Sequence, residues 1–242
     1  MNSFLDAFEF IGRNGQIPGE PPLPTLVHLT LETLKIAGIG VAISVAIALP
    51  IGLWLGHIHR GSFIAINLGN VWRALPSLAV LAIGVAFLGI GLQNVELALV
   101  VLAFPPIITN AYVAIDGADR DVVDAARGMG LTGFEVLRKV ELPLGIPLIF
   151  AGIRTAALFV VSTTTIAALT GYSGSLGDII NNETSYHLSG VLGAAICIAG
   201  LALAVELALG VVQWMATPRG LRATRAKELE AGATPVVTAH TA

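Results

Sequence analysis

Apolar residues run through this chain in blocks long enough to cross a bilayer, separated by shorter polar connections. A membrane-spanning helix needs roughly 20 mostly apolar residues, given about 1.5 Å of rise per residue and a hydrocarbon core near 30 Å. Five stretches meet that length, approximately Ile36–Leu55, Phe63–Ile90, Leu97–Ile115, Pro147–Leu169 and Val191–Met215. The second is long and carries Arg73 and Pro76, so it reads either as one kinked helix or as two shorter pieces. Ahead of them, Phe4, Leu5, Phe8 and Ile11 share one face of a short amphipathic helix expected at the membrane surface. Asp6 and Glu9 interrupt that stretch and no basic residue precedes it, which is not the pattern of a secretory signal. The pattern predicts an all-α membrane protein of about five spans, with six possible.

The polar connections orient the spans, because Lys and Arg collect on cytoplasmic flanks. His57, His59 and Arg60 follow the first stretch, and Arg120, Arg127, Arg138 and Lys139 follow the third. Arg219, Arg222, Arg225 and Lys227 follow the fifth. The connections at 92–95 and 171–190 contain neither Lys nor Arg. Basic and non-basic flanks alternate at every crossing if there are five spans, which places the N-terminus outside and the C-terminus in the cytoplasm. The expected organisation is an extracytoplasmic or interfacial segment at 1–25, a membrane domain at 26–220 with a cytoplasmic loop at 117–143, and a disordered cytoplasmic tail at 221–242.

Composition agrees with a lipid environment. Apolar residues make up 55% of the 242 positions and charged residues 12%. A soluble domain carries about twice that charged fraction. The single cysteine, Cys197, lies in an apolar run, so no disulfide framework or cysteine-based metal site exists. A net charge of -3 without a basic domain gives no footprint for nucleic acid.

The polar residues of the third loop are arranged rather than scattered. Asp121 is placed to cap a short helix running from Val122 to Arg127 and stopped by Gly128 and Gly130. Thr132 and Glu135 stand in capping-box spacing and open a second helix, Phe134 to Glu141, which Pro143 and Pro147 are expected to end. The predicted product is a helix–turn–helix outside the membrane, with Ala125, Ala126 and Gly130 forming a small-residue apex that another protein can approach closely.

Within this loop, Asp124-Ala125-Ala126, three residues, Gly130, nine residues and Val140-Glu141-Leu142-Pro143 resemble the "EAA" loop of ABC importer permeases. That pattern reads Glu-Ala-Ala, three residues, Gly, nine residues, Ile-x-Leu-Pro, and this chain departs from it by Asp124 for Glu and Val140 for Ile. The resemblance implies that Asp124, Ala125, Ala126, Gly130, Leu142 and Pro143 belong to a coupling helix seated in a cleft of an ABC ATPase subunit. From about His28 to Gly220 the chain is similar to the glycine betaine, choline and osmoprotectant branch, most specifically at the Pro76-Ser77-Leu78-Ala79 run. Where that branch commonly has Gly-Ala-Gly-Gly-Leu-Gly, this chain has Gly171-Tyr172-Ser173-Gly174-Ser175-Leu176-Gly177, and Tyr172 and Ser175 add bulk there. The resemblance further implies a second permease copy or a paralogue, an extracytoplasmic solute-binding protein, and no catalytic or metal site on this chain.

A charge at bilayer depth is costly and faces the bundle interior or a watery path. Arg73, Arg154 and Glu206 all fall about ten residues in from the predicted cytoplasmic ends of their spans, so Arg154 and Glu206 match in depth and can pair. Such a pair either holds the helices together or exchanges partners as a pore alternates; the static role is the better supported by the general behaviour of buried pairs. Ser77 beside Pro76, and Thr163 and Thr164 within Ser162–Thr165, can line a hydrophilic path or bond to their own helix carbonyls. His57 and His59 are two residues apart and read as solvated interfacial groups rather than metal ligands. Trp54 and Trp214 read as interfacial anchors, and no aromatic cage is assigned to Trp54, Trp72 and Trp214.

No phosphate loop of the G-x-x-x-x-G-K-[ST] type is present, so ATP and Mg are expected on a partner subunit. An appended soluble receptor domain is likewise not expected. The alternatives are a methionine or polar amino-acid importer, which shares the coupling loop, an ion-coupled carrier, and a membrane hydrolase. A carrier calls for inverted repeats, of which none is visible, and a hydrolase for paired acidic or His residues within the spans, where Glu206 stands as the clear acidic candidate.

Overall fold

The computed structural model of the chain describes residues 2–17, 24–63, 67, 69 and 74–218, and among these all regular structure is helical. Helix α1 (Asn2–Gly12) precedes α2 (Leu26–His57), α3 (Ser77–Leu88), α4 (Leu92–Asp116), α5 (Arg120–Gly128) and α6 (Gly133–Val136). A π-helical turn, Leu137–Glu141, joins α6 to α7 (Leu142–Ile166), which tightens into a 3-10 turn at Ala167–Thr170. The short α8 (Gly177–Asn181) and the long α9 (Glu183–Ala216) follow.

Among the described residues, four helical runs are long and apolar enough to cross a membrane: α2, α4, Gly133–Thr170 and α9. The first starts ten residues before the apolar stretch predicts, because Thr25 caps it by accepting from the His28 N–H. Helix α9 likewise starts at Glu183, with a kink at His187, where φ is 55°. In the second predicted stretch the chain is extended at Pro76 (φ -65°, ψ 125°) and helical again from Ser77. The 12 residues of α3 reach only about 18 Å, too short to cross alone. Arg73 and Trp72 lie outside the described residues, as does the tail from residue 219.

Helix α4 is the centre of the bundle and packs along α2 on one side and α7 on the other. In its most apolar window 61% of residues are buried, against 0% in that of α9, which lies at the periphery. Two glycines bring α2 and α4 together. A Cβ on Gly52 would stand 2.8 Å from the Ile108 carbonyl oxygen, and one on Gly56 2.8 Å from that of Tyr112. Such spacing lets the helix backbones approach, the source of adhesion where lipid removes any hydrophobic drive. Ser44 adds a hydrogen bond from its hydroxyl to the Val100 carbonyl, 3.2 Å across the same interface.

Helix α1 divides its apolar residues between two surfaces. Ala7 and Phe10 are buried, Phe10 edge-on to the Tyr186 ring of α9, and Ile11 packs on this side too. Phe4, Leu5 and Phe8 remain exposed. The expected single face of Phe4, Leu5, Phe8 and Ile11 is therefore corrected for Ile11. At the opposite end of the sequence order, the loop before α8 is tied to α2 where the Leu176 N–H donates to Thr33 Oγ1 at 2.9 Å. Ser175 is fully buried there and its hydroxyl accepts from the Gly177 N–H at 3.2 Å, while Tyr172 is half-buried.

Candidate functional site

The third loop folds as a small unit with its own core. Val123 and Ala126 of α5 pack on Val136, with Leu131 and Val140 around them. Asp119, rather than Asp121, caps α5, accepting from the Asp121 N–H at 2.9 Å, because the helix starts two residues before the sequence pattern suggests. Gly130 turns the chain at φ +90°, with open space where a Cβ would stand, so its absent side chain serves the turn and not a close contact. Asp124, Ala125 and Gly130 are exposed, but Ala126 is 3% exposed and faces the inner cluster. The expectation that Ala126 helps form an approachable apex is corrected; the outer surface instead carries Met129, 76% exposed, and Phe134, 70% exposed.

Thr132 and Glu135 form the predicted capping box. Lys139 donates to the Glu135 carboxylate at 2.8 Å, and with the Thr132 N–H and hydroxyl it holds that carboxyl down from the ordinary 4.5 to about 2. Beyond it, Pro143 and Pro147 do not end the helix, contrary to the sequence expectation. A proline collides with the carbonyl four residues back; the π turn lengthens the register, with the Leu142 N–H bonded to the Leu137 carbonyl, and so admits Pro143 in the next turn. The run from Gly133 to Thr170 is in consequence one continuous body, in which the half-buried Leu142 and Pro143 mark the passage from loop to span.

Within the bundle, Arg154 of α7 pairs with Glu206 of α9, as matching depth predicts, and also donates to Gln213 Oε1 at 3.0 Å. Gln213 reaches on to the Pro147 carbonyl at 3.4 Å. This network fastens peripheral α9 to α7. The second oxygen of Glu206 has no hydrogen-bond partner among the described residues. Thr163 and Thr164 are buried, Ser162 is exposed, and the hydroxyls of Ser162, Thr164 and Thr165 donate to carbonyls four residues back in their own helix. Pro76 is exposed and Ser77 half-buried at the start of α3. A narrow cavity of about 40 Å³ lies between Leu75, Pro105, Pro106, Thr109 and Thr155, near that break.

Residues 40–214 fit the model of the family described as the binding-protein-dependent transport system inner membrane component. The chain belongs to that family. This inner membrane component is 35% identical over 198 residues to the glycine betaine/carnitine/choline transport system permease protein OpuCB of Bacillus subtilis, covering 81% of this chain and 91% of that one. It is 36% identical over 201 residues to the carnitine transport permease protein OpuCB of Listeria monocytogenes, covering 83% and 92%. Its fold resembles a chain of the inward-facing MetNI methionine ABC transporter, with a TM-score of 0.68 at 22% identity over 80% of this chain and 96% of that one. A chain of an amino acid ABC transporter with histidines gives 0.61 at 19% identity, covering 88% and 98%.

The permease also uses residues that the sequence pattern does not single out. His57 Nδ1 donates to Glu141 Oε2 at 2.7 Å, and His59 Nδ1 to Asp116 Oδ1 at 2.7 Å. Both histidines are thus bonded to carboxylates from other segments, His57 half-buried and His59 exposed. Glu141 occupies the unspecified position of the Ile-x-Leu-Pro pattern, and a charged residue 1% exposed there is a signal only once burial is known. Trp54 and Trp214 stay largely exposed near the ends of α2 and α9.

Proposed function

We propose that this permease provides the transmembrane path of an ATP-driven importer for a small quaternary-amine osmoprotectant such as glycine betaine, choline or carnitine. The observation that carries the reading is the loop unit of α5 and α6. It has its own core, presents Asp124, Ala125, Met129 and Phe134 outward, and continues without a break into α7. A partner that grips this surface moves a membrane span directly. The solute class is supported by the relatives named for glycine betaine, carnitine and choline. The likeness to methionine and amino acid transporters concerns the fold alone.

On this reading α5 and the α5–α6 turn dock on an ABC ATPase that binds ATP and Mg, on the cytoplasmic side where the basic flanks lie. A binding protein delivers solute from the other side, and a second copy or a paralogue completes the path. Arg73, Pro76 and Ser77 belong to a gating segment where the helix is broken, and Arg154 and Glu206 hold α9 on α7. The N-terminus lies outside and the C-terminus in the cytoplasm.

The test is uptake into proteoliposomes containing the permease, its ATPase and its binding protein. ATP-dependent uptake of labelled choline, glycine betaine or carnitine is expected, with a cysteine at Ala125 crosslinking to the ATPase in a Cys197→Ser background. Uptake of methionine or polar amino acids alone overturns the solute class. Absence of any crosslink to a nucleotide-hydrolysing protein overturns the docking role.

A further inference from the structure

Between the loop unit and the end of α2 the packing is open. An apolar hollow of about 530 Å³ lies among Pro50, Leu53, Trp54, His57, Phe134 and Leu137. On the other side of the same junction, a cavity of about 300 Å³ is lined by His59, Arg120, Asp124, Arg127 and Glu141. The backbones of α2 and the π turn do not run together. The His57 side chain reaches across this gap. The His57 ring, at the last residue of α2, reaches Glu141 in the π turn through Nδ1, while its Nε2 lies 3.3 Å from where a Cβ on Gly133 would stand, at the start of α6. The imidazole is thus wedged between both ends of the loop's second helical segment.

The burial of this bond separates it from the loop's surface ion pairs. Glu141 is 1% exposed on its side chain and His57 13%, whereas Lys139 and Glu135 are 60% and 40% exposed. A hydrogen bond shielded from water holds its geometry, and a carboxylate left without it in this setting is strongly disfavoured. The π turn is itself the joint between docking loop and span, and π turns recur at functional positions. Helix α7 follows the loop because the two are one helix. Helix α2, 84 residues earlier in sequence at the bonded pair, has no such continuity.

We propose that His57 is a positioning residue that couples the docking loop to α2, so that movement imposed on α5 and α6 reaches the first span through the His57–Glu141 bond. The idea rests on the docking role given to the loop above. It assigns His57 and Glu141 to transmission, not to solute or nucleotide binding. The His59–Asp116 bond, exposed at 45% and 37%, links the turn after α2 to the end of α4, so it serves as the control.

The experiment uses the complete transporter in proteoliposomes, with uptake and ATP hydrolysis measured on the same sample. His57→Ala and Glu141→Ala are each expected to reduce solute imported per ATP hydrolysed by about tenfold, the range of a site-to-site coupling. Co-purification with the ATPase is expected to be retained, and the double variant to be no worse than either single one. An Asn side chain places an N–H near the position of Nδ1 and a Gln near that of Nε2, so His57→Asn is expected to restore most of the ratio and His57→Gln not. His59→Ala leaves the ratio near that of the wild type. An unchanged ratio in His57→Ala overturns the proposal, as does equal behaviour of His57→Asn and His57→Gln, which also decides the matter should the alanine variants fail to assemble. A wild-type complex without ATP-driven uptake refutes instead the function proposed above.

Discussion

At the scale of single residues, the permease depends on side chains that are absent as much as on those present. Gly52 and Gly56 lie one turn apart on α2, where the backbone of α4 leaves no room for a methyl group. Gly52→Ala sets a Cβ 2.7 Å from that of Ala111 and 2.8 Å from the Ile108 carbonyl, so the helices must separate. The expected cost is about 1–3 kcal/mol, read as a lower unfolding midpoint in detergent; an unchanged midpoint contradicts the close approach. The glycines themselves are legible in the sequence, but their number hides which ones matter. Gly12 and Gly38 meet nothing within 4 Å of a Cβ, and only the path of α4 separates them from Gly52. Ala126 illustrates the same limit. Its place in the Ala-Ala pair marks the motif, yet the turn of α5 points it inward and leaves Ala125 outside.

At the scale of elements, local chemistry was well announced and long-range continuity was not. The capping box of Thr132 and Glu135 needs only neighbours three residues apart, and it forms as its spacing predicts. Its pH dependence follows from the lowered Glu135 carboxyl. A group depressed on folding contributes stability that is present above its ordinary value of 4.5 and lost as pH falls through about 2. Amide exchange at 132–136, corrected for its intrinsic pH dependence, is therefore expected to lose protection across that window, and Glu135→Gln to abolish the change. Constant protection from pH 5 to pH 2 contradicts the role given to the cap. Pro143, by contrast, reads locally as a helix end. The π turn admits it, because a register change over Leu137–Glu141 removes the clash on which the rule depends.

At the scale of the whole molecule, the apolar periphery raises the question of what holds α9 in place. Its outer stripe of Leu203, Leu207, Val211 and Trp214 is exposed and calls for lipid or another apolar surface. Its inner side is fastened by Arg154, Glu206 and Gln213. Glu206→Gln retains an acceptor but removes the charge facing Arg154. The expected loss is about 1–3 kcal/mol, with thermal stability and transport falling together; transport lost at unchanged stability contradicts a packing role. Sequence alone determined the membrane class, the apolar blocks, the capped helical loop between the third and fourth stretches and the matched depth of Arg154 and Glu206. These follow from how each residue partitions between water and lipid and from contacts a few positions apart. Tertiary structure decided that the loop and α7 are one body, that Thr163 and Thr164 are buried, and that His57 finds Glu141. Pairings of that kind depend on how three helices meet in space, and no local pattern of polarity encodes where a distant segment will lie.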